Sequence, residues 1–448
     1  MKSILYSIKN LLPENFKKKI LPIYHYSLAL LGNTIYNSPS KEIFVIGITG
    51  TKGKSSTAEI LSAILEEAGY KTAVASTVRF KIGDETRPNL MKMTMPGRFF
   101  IQKFLREAVD AGCQYAIIEM TSEGAKNFRH KFVELNSLIF TNISPEHIES
   151  HGSYEKYLKA KLEIAKQLEI SKKPSKSIIV NGDDKESDKF LEIDVPNKLV
   201  YSLAEAKPFT LEKDLSDINL FGERVTTKLP GEFNVYNILA AATFAKSQGI
   251  SPAVIRSGIE KIKSIPGRVE KIEIELENIK EENGKQIGFG SFPNFSVIVD
   301  YAHTADSLEK LYKVFKNEKK ICVLGSCGGG RDKWKRPQMG AVAENYCDEI
   351  ILTDEDPYDD DPEEIICDLA KGIKNKKPKI ILDRREAIRE AISIAKNGDA
   401  VLISGKGTDP YIMKAKGDKI PWSDKKVVEE ELTKLAIKDF SDKRNLLN

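Results

Sequence analysis

The stretch GITGTKGKSST at 47–57 has the residues to hold a phosphate. It follows the apolar run EIFVI and precedes the amphipathic AEILSAILEEAG, so it reads as strand, glycine turn and helix. Gly50 and Gly53 let the backbone turn its N–H groups inward, and the helix N-terminus adds partial positive charge. Thr51, Lys52 and Ser56 complete the cradle. Lys54 can reach terminal phosphates and Ser55 can ligate Mg²⁺. The spacing is not the common phosphate loop, because Ile48 stands where the first glycine would be.

Three further clusters carry chemistry. Glu119 ends the strand-like YAIIE, and a carboxylate there points into the crevice where open α/β sheets bind ligands. The segment TNISPEHIESHGSYEKYLKAK, 141–161, holds His147 and His151. Without thiols or an H-E-x-x-H spacing it reads as a hydrogen-bonding or Mg²⁺ loop, or as a polar surface loop, rather than a zinc site. The third cluster joins VDYAHT at 299–304 with LGSCGGGRDKWKRP at 324–337. Asp300 could accept ribose hydroxyls and His303 could touch a nucleotide. The glycine run 328–330 reads as a flexible loop carrying Arg331, Lys333, Lys335 and Arg336 toward anions.

Regular elements must position these groups. Strands are expected at 43–49, 72–76, 115–119, 137–143 and 177–181, with helices at 54–68, 98–111 and 154–169. Helices follow at 232–247 and 252–263, and a small β excursion at 204–229. After Ile265-Pro266-Gly267-Arg268 a second α/β run begins, with strands near 296–302, 320–325, 349–354, 379–382 and 400–404. Such alternation predicts an α/β fold with mostly parallel sheets. The expected division is a short helical arm (1–41), a central nucleotide-binding domain (42–267) and a C-terminal α/β domain (268–448).

Composition narrows the class. The 448 residues are 41% hydrophobic and 30% charged, with net charge +4, as in an ordinary soluble protein without a nucleic-acid partner. Five cysteines with no C-x-x-C pair argue against a disulfide framework and for the cytoplasm. No apolar run is long enough to span a bilayer. The basic, partly amphipathic residues 1–35 read either as an arm packed on the next domain or as a contact with a membrane surface or partner.

In order along the chain, GITGTKGKSST, IIEMTSEG, FTNISPEHIESHGSYEKYLKAK, LPGEFNVYNILAA, IPGRVE, VDYAHTADSLE, CGGGRDKWKRPQMG, TDEDPYDDDP, DRREAI, ISGKGTDPY and PWSDKKV resemble the Mur ligase family, specifically its UDP-N-acetylmuramoyl-tripeptide synthetases. The resemblance implies a P-loop central domain with a mostly parallel sheet and a Rossmann-like C-terminal domain. It implies an ATP-dependent amide ligase of peptidoglycan precursor synthesis, working as a monomer. ATP phosphorylates an acceptor carboxylate, and an amino acid then attacks the acyl phosphate. Lys54, Glu119, His147 and Lys161 become the catalytic set. Ser55, Glu119, His147 and a carbamylated Lys161 become the Mg²⁺ site. Asn234, Asn237, Arg268, Asp300 and His303 join the phosphate loop around ATP. Thr94, Thr121, Ser122, Asn127 and Arg129 match residues that hold the muramoyl-peptide end.

Some positions depart from the family. About forty residues precede the phosphate strand where the family has a uridine-binding domain, so a truncated N-terminal domain with a reduced pocket, a pocket supplied by a partner, and another carrier are alternatives. Glu355-Asp356-Pro357-Tyr358 replaces the Asp-Asn-Pro-Arg of enzymes that add meso-diaminopimelate. Gly405 to Asp409, GKGTD, replaces GKGHE. With Arg331 these residues line the amino-acid pocket, and Asp356 and Asp409 suggest a cationic amino acid such as lysine. A Mur-like amidation subunit and a non-catalytic ATP-binding protein are the rival readings.

Overall fold

The computed structural model describes residues 14–97, 99–276, 279 and 290–447. Its first sheet holds β1 (Phe44–Thr49), β2 (Thr72–Ala75), β3 (Arg79–Ile82), β4 (Glu85–Pro88), β5 (Tyr115–Glu119), β6 (Ser137–Phe140), β7 (Ser177–Asn181) and β8 (Asn197–Tyr201). Their order is β4-β3-β2-β5-β1-β6-β7-β8. β1 lies between β5 and β6, parallel to both. Only β3 runs antiparallel to its neighbours, β2 and β4, at one edge. Apolar runs such as FVIGIT and SIIVN form these strands because helices cover both faces. Helices Lys54–Glu67 and Glu232–Ser247 pack on one face. Helices Phe100–Asp110 and Tyr154–Glu169 pack on the other.

The expected β excursion is a three-stranded antiparallel sheet, β9 (Phe209–Leu211), β10 (Ser216–Leu220) and β11 (Glu223–Thr227). After the short β12 (Glu270–Lys271), β13 (Ile274–Glu275) and β14 (Ser291–Phe292), the second large sheet adds β15 (Ser296–Asp300), β16 (Lys320–Leu324), β17 (Glu349–Leu352), β18 (Lys379–Ile380) and β19 (Ala400–Ser404). Its order is β12-β15-β19-β16-β17-β18, and only β12 is antiparallel. Helices Ala305–Val314, Lys335–Tyr346 and Pro362–Ala370 cover one face. Helices Arg384–Ile394 and Asp424–Leu447 cover the other.

One expectation changes here. Cys322 on β16 and Cys347, just beyond the helix Lys335–Tyr346, form a disulfide within the core. An odd count and the lack of C-x-x-C cannot reveal that a strand and a helix end meet there. Cys113, Cys327 and Cys367 are free. The arm is a helix, Glu14–Ile35, that touches the body near its end. Arg106 donates to the carbonyls of Tyr36 and Asn37 at 3.1 and 3.3 Å, and the Tyr26 ring meets Phe128 and Phe132 edge-on. Ile23, Tyr24, Leu30, Leu31 and Ile35 remain exposed. Residues 1–13 of the expected contact segment lie outside the described residues. Among the described residues, no helix is long and apolar enough to cross a membrane.

Candidate active site

The phosphate loop joins β1 to the helix Lys54–Glu67. Gly53 takes φ +83°, and a Cβ there would lie 2.3 Å from Asn237 Oδ1. Only glycine satisfies both the backbone and this close approach. Thr51 shares a 2.8 Å hydrogen bond with the Tyr157 hydroxyl. Lys52 Nζ donates to Glu146 at 3.2 Å. Lys54 Nζ donates to the carbonyls of Gly50 and Thr51, both at 2.9 Å. Ser55 and Ser56 open the helix and are nearly buried.

Glu119 ends β5, next to β1, and is fully buried. Thr77 holds both of its oxygens, through its N–H at 2.9 Å and its hydroxyl at 3.1 Å. Lys161 reaches in from the helix Tyr154–Glu169 and donates to the Gly50 carbonyl at 2.7 Å. Burial, reinforced by Lys54, pushes the Lys161 ammonium far below the usual lysine range. Burial also lowers Lys54, against the pull of Glu119 and Glu146. His147, in the left-handed region at φ 58°, precedes the short helix Ile148–His151, and burial lowers its pKa to about 4. The Glu119 carboxylate and Ser55 hydroxyl are hard oxygen donors suited to Mg²⁺, and His147 adds a neutral imidazole. An unmodified Lys161 amine does not suit that ion.

The nucleotide-side residues divide into two groups. Asn237 Nδ2 donates to Asn234 Oδ1 at 3.1 Å, and Thr57 donates to Asn237 at 3.4 Å, so this pair buttresses the phosphate loop. Arg268 lies across the Tyr301 ring at 4.6 Å and donates to Ser55 at 3.4 Å. Asp300 is buried and accepts from the N–H groups of Val269 and Ala302 at 2.7 and 2.6 Å, one on each oxygen, so it holds the junction after Gly267. His303 lies between two oxygens, Glu146 Oε1 at 3.1 Å and the Tyr301 carbonyl at 2.7 Å. Burial, then Lys52, lowers its pKa to about 4, so at neutral pH the ring carries one proton and donates to only one of the two oxygens at a time.

The expected acceptor residues gather beside this centre. Thr94 shares a 2.7 Å hydrogen bond with Thr77, the residue that holds Glu119. Thr121 caps the short helix Ser122–Lys126 through the Gly124 N–H at 3.0 Å. Ser122 meets His151 Nε2 at 3.1 Å, and Asn127 donates to the Glu123 carbonyl at 2.7 Å. Arg129 donates to the Met95 carbonyl at 2.6 Å, next to Thr94.

The expected amino-acid pocket differs from the sequence reading in three ways. Two of the three glycines are closely approached, and only Gly330 lies in open space: a Cβ on Gly329 would lie 2.7 Å from the Tyr358 ring, and Gly328 N donates to the Asp356 carbonyl at 2.8 Å. Arg336 points away from any anion site. It is buried against Asp368 at 3.0 Å and the Cys327 carbonyl at 3.1 Å. Asp356 is not an open carboxylate, because Lys406 donates to both its oxygens at 2.9 Å and Lys92 joins it. Asp409 lies 3.3 Å from Lys92 and 3.7 Å from Lys406. Gly405 N donates to the Asp300 carbonyl at 3.1 Å, tying this pocket to the nucleotide side. Arg331 stands beside Tyr358, itself at φ 54°. Cys327, Glu355 and Asp356 form the only close group of three Cys, His, Asp or Glu ligand atoms among the described residues.

Sequence reasoning missed Thr77, Lys92 and Glu146. Thr77 and Lys92 flank a hairpin, β3–β4, that was not foreseen. Glu146 had a signal in its place between Pro145 and His147.

Two family models match, the Mur ligase middle domain over 48–245 and the Mur ligase glutamate ligase domain over 289–407. A curated relative from Syntrophomonas wolfei, named UDP-N-acetylmuramoyl-L-alanyl-D-glutamate–2,6-diaminopimelate ligase, is 34% identical over 424 residues, covering 91% of this chain and 81% of the relative. A protein of the same name from Bacillus velezensis is 35% identical over 399 residues, covering 86% and 77%. A solved structure of that ligase type superposes with TM-score 0.57 at 26% identity, covering 88% of this chain and 79% of the other. MurF from Acinetobacter baumannii shares the fold, with TM-score 0.65 at 19% identity and coverage of 92% and 80%.

Proposed function

The chain belongs to the Mur ligase family, and from that premise we propose that it joins a diamino acid to the free carboxylate of a muramoyl-dipeptide-like acceptor. As a family member it is an ATP-dependent ligase that forms amide bonds, and the family uses ATP and Mg²⁺. The observation that carries the proposal is the meeting of Lys54 and Lys161 on the Gly50 carbonyl, with Ser55 reached by Arg268 from across the cleft. In this reading the acceptor carboxylate attacks the γ-phosphate of ATP and gives an acyl phosphate and ADP. The amine of the incoming amino acid then attacks the acyl carbon, and phosphate leaves. Lys54 offsets charge on the transferred group, and Arg268 and His303 close the cleft against water. Ser55, Glu119, His147 and a carbamylated Lys161 would hold Mg²⁺, which supplies charge neutralisation for the phosphates. The uncharged Lys161 amine is the form able to take up carbon dioxide, and this supports the carbamate. Thr94, Thr121, Ser122, Asn127 and Arg129 serve the acceptor end, and Arg331, Asp356, Tyr358, Gly405 and Asp409 the amino acid. The division into 1–41, 42–267 and 268–448 is part of the same proposal, and two separate large sheets support it.

The relatives' names support diaminopimelate as the amino acid and UDP-N-acetylmuramoyl-L-alanyl-D-glutamate as the acceptor. Lysine is the second reading, favoured by the neutral Tyr358. The test is phosphate release from ATP with that acceptor and each amino acid in turn, with the product weighed by mass spectrometry. Release with one diamino acid and the matching mass gain is expected. ATP binding without turnover on any amino acid would overturn the proposal.

A further inference from the structure

A lysine from the far side of the cleft sits in the pocket assigned to the incoming amino acid. Lys92 precedes Thr94 on the loop after the β3–β4 hairpin, yet its ammonium meets Asp356 and Asp409 of the C-terminal part. Lys406 holds the same two carboxylates from behind. Two anions therefore already face two cations. Glu355, whose carboxyl burial and Asp356 push upward, accepts from the Cys327 thiol at 3.0 Å, and Arg384 is matched by Asp424. Arg331 beside Tyr358 is a further cation of the pocket. Asp356 and Asp409 are therefore already paired and not open to a side-chain amine alone.

Lys92 is placed to meet an anion. Its side chain keeps 16% exposure, and an ammonium has three donors, of which two face Asp356 and Asp409. Its Nζ also lies 5.7 Å from the centre of the Tyr358 ring, the ring beside which Arg331 stands. We propose that Lys92 is a specificity-determining residue that, together with Arg331, receives the second carboxylate of a diamino dicarboxylic acid. This inference rests on the diamino-acid reading above.

The experiment compares kcat/KM for meso-diaminopimelate and for lysine in wild type, Lys92→Met, Lys92→Gln and Lys92→Arg. Wild type is expected to favour meso-diaminopimelate. Both neutral variants should lower the diaminopimelate-to-lysine ratio at least tenfold, chiefly by raising KM for diaminopimelate. Lys92→Arg should keep most of the wild-type ratio. A purely structural Lys92 would depress both amino acids alike, and an unmoved ratio in the neutral variants would overturn the inference while leaving the ligase reading intact. A wild type that turns over lysine alone would also overturn it. A wild type that turns over neither would overturn the function proposal first, and this inference with it.

Discussion

Two lysines share one carbonyl at the phosphate loop. Lys54 and Lys161 both donate to Gly50 O, and neither has a carboxylate within ion-pair distance among the described residues. This arrangement suits a site that receives polyphosphate, because a buried Lys54 ammonium held only by carbonyls is costly until an anion arrives. Replacing Lys54 by Ala should cut kcat by at least about 10²-fold, the usual effect of removing one group that stabilises transition-state charge. Single-turnover phosphate release would measure it, and a full rate in the variant would remove Lys54 from the mechanism. The phosphate loop, Glu119 and Lys161 were legible because each belongs to a short motif. Thr77 was not, because its role depends on a turn that brings it under Glu119.

Helix-to-helix ties in the C-terminal part are strongly electrostatic. Arg384 and Asp424 form a fully buried pair at 2.7 Å, linking the helices Arg384–Ile394 and Asp424–Leu447, and Arg384 also donates to the Ser404 carbonyl on β19. Asp424→Asn should lower unfolding stability by about 3–5 kcal/mol, since it leaves a buried guanidinium uncompensated. Urea titration would read the loss. Glu431 lies on the same helix. Burial would raise its carboxyl, but hydrogen bonds from Arg389, Lys434 and Arg385 outweigh this and hold it at about 2. A carboxyl lowered by folding adds stability above its unfolded value and loses it as pH falls toward the folded one. Glu431→Gln should therefore be less stable than wild type at neutral pH by about 1–2 kcal/mol, the worth of charge-assisted bonds to partly exposed partners. The gap should close between the unfolded carboxyl value of 4.5 and about 2. Melts at neutral and acid pH would show whether it does.

At the scale of the molecule, the two large sheets face each other across contacts that sequence separation hides. Glu146 meets His303 and Lys52, Arg268 meets Ser55, and Asp332 accepts from the Glu149 N–H at 3.0 Å. These bonds join groups that an ATP-dependent reaction needs in one place. Glu146→Ala should raise KM for ATP about tenfold, the worth of roughly one hydrogen bond to a charged group, with little change in melting temperature. Steady-state kinetics beside a thermal melt would separate the two effects. An unchanged KM would mean that closure does not depend on this bridge.

The sequence by itself determined the α/β class, the order of the main strands, the phosphate loop and the family. Those features are local: apolar periodicity, glycine spacing and motif order survive in one dimension. Tertiary structure alone decided which carboxylates were free. Asp356 and Asp409 looked open to a cationic substrate, yet Lys92, far away in the chain, and Lys406 already balance them. It likewise brought Cys322 to Cys347 and turned Arg336 inward. Charge and thiol pairing act through space over a few ångströms, and only the folded chain fixes those distances.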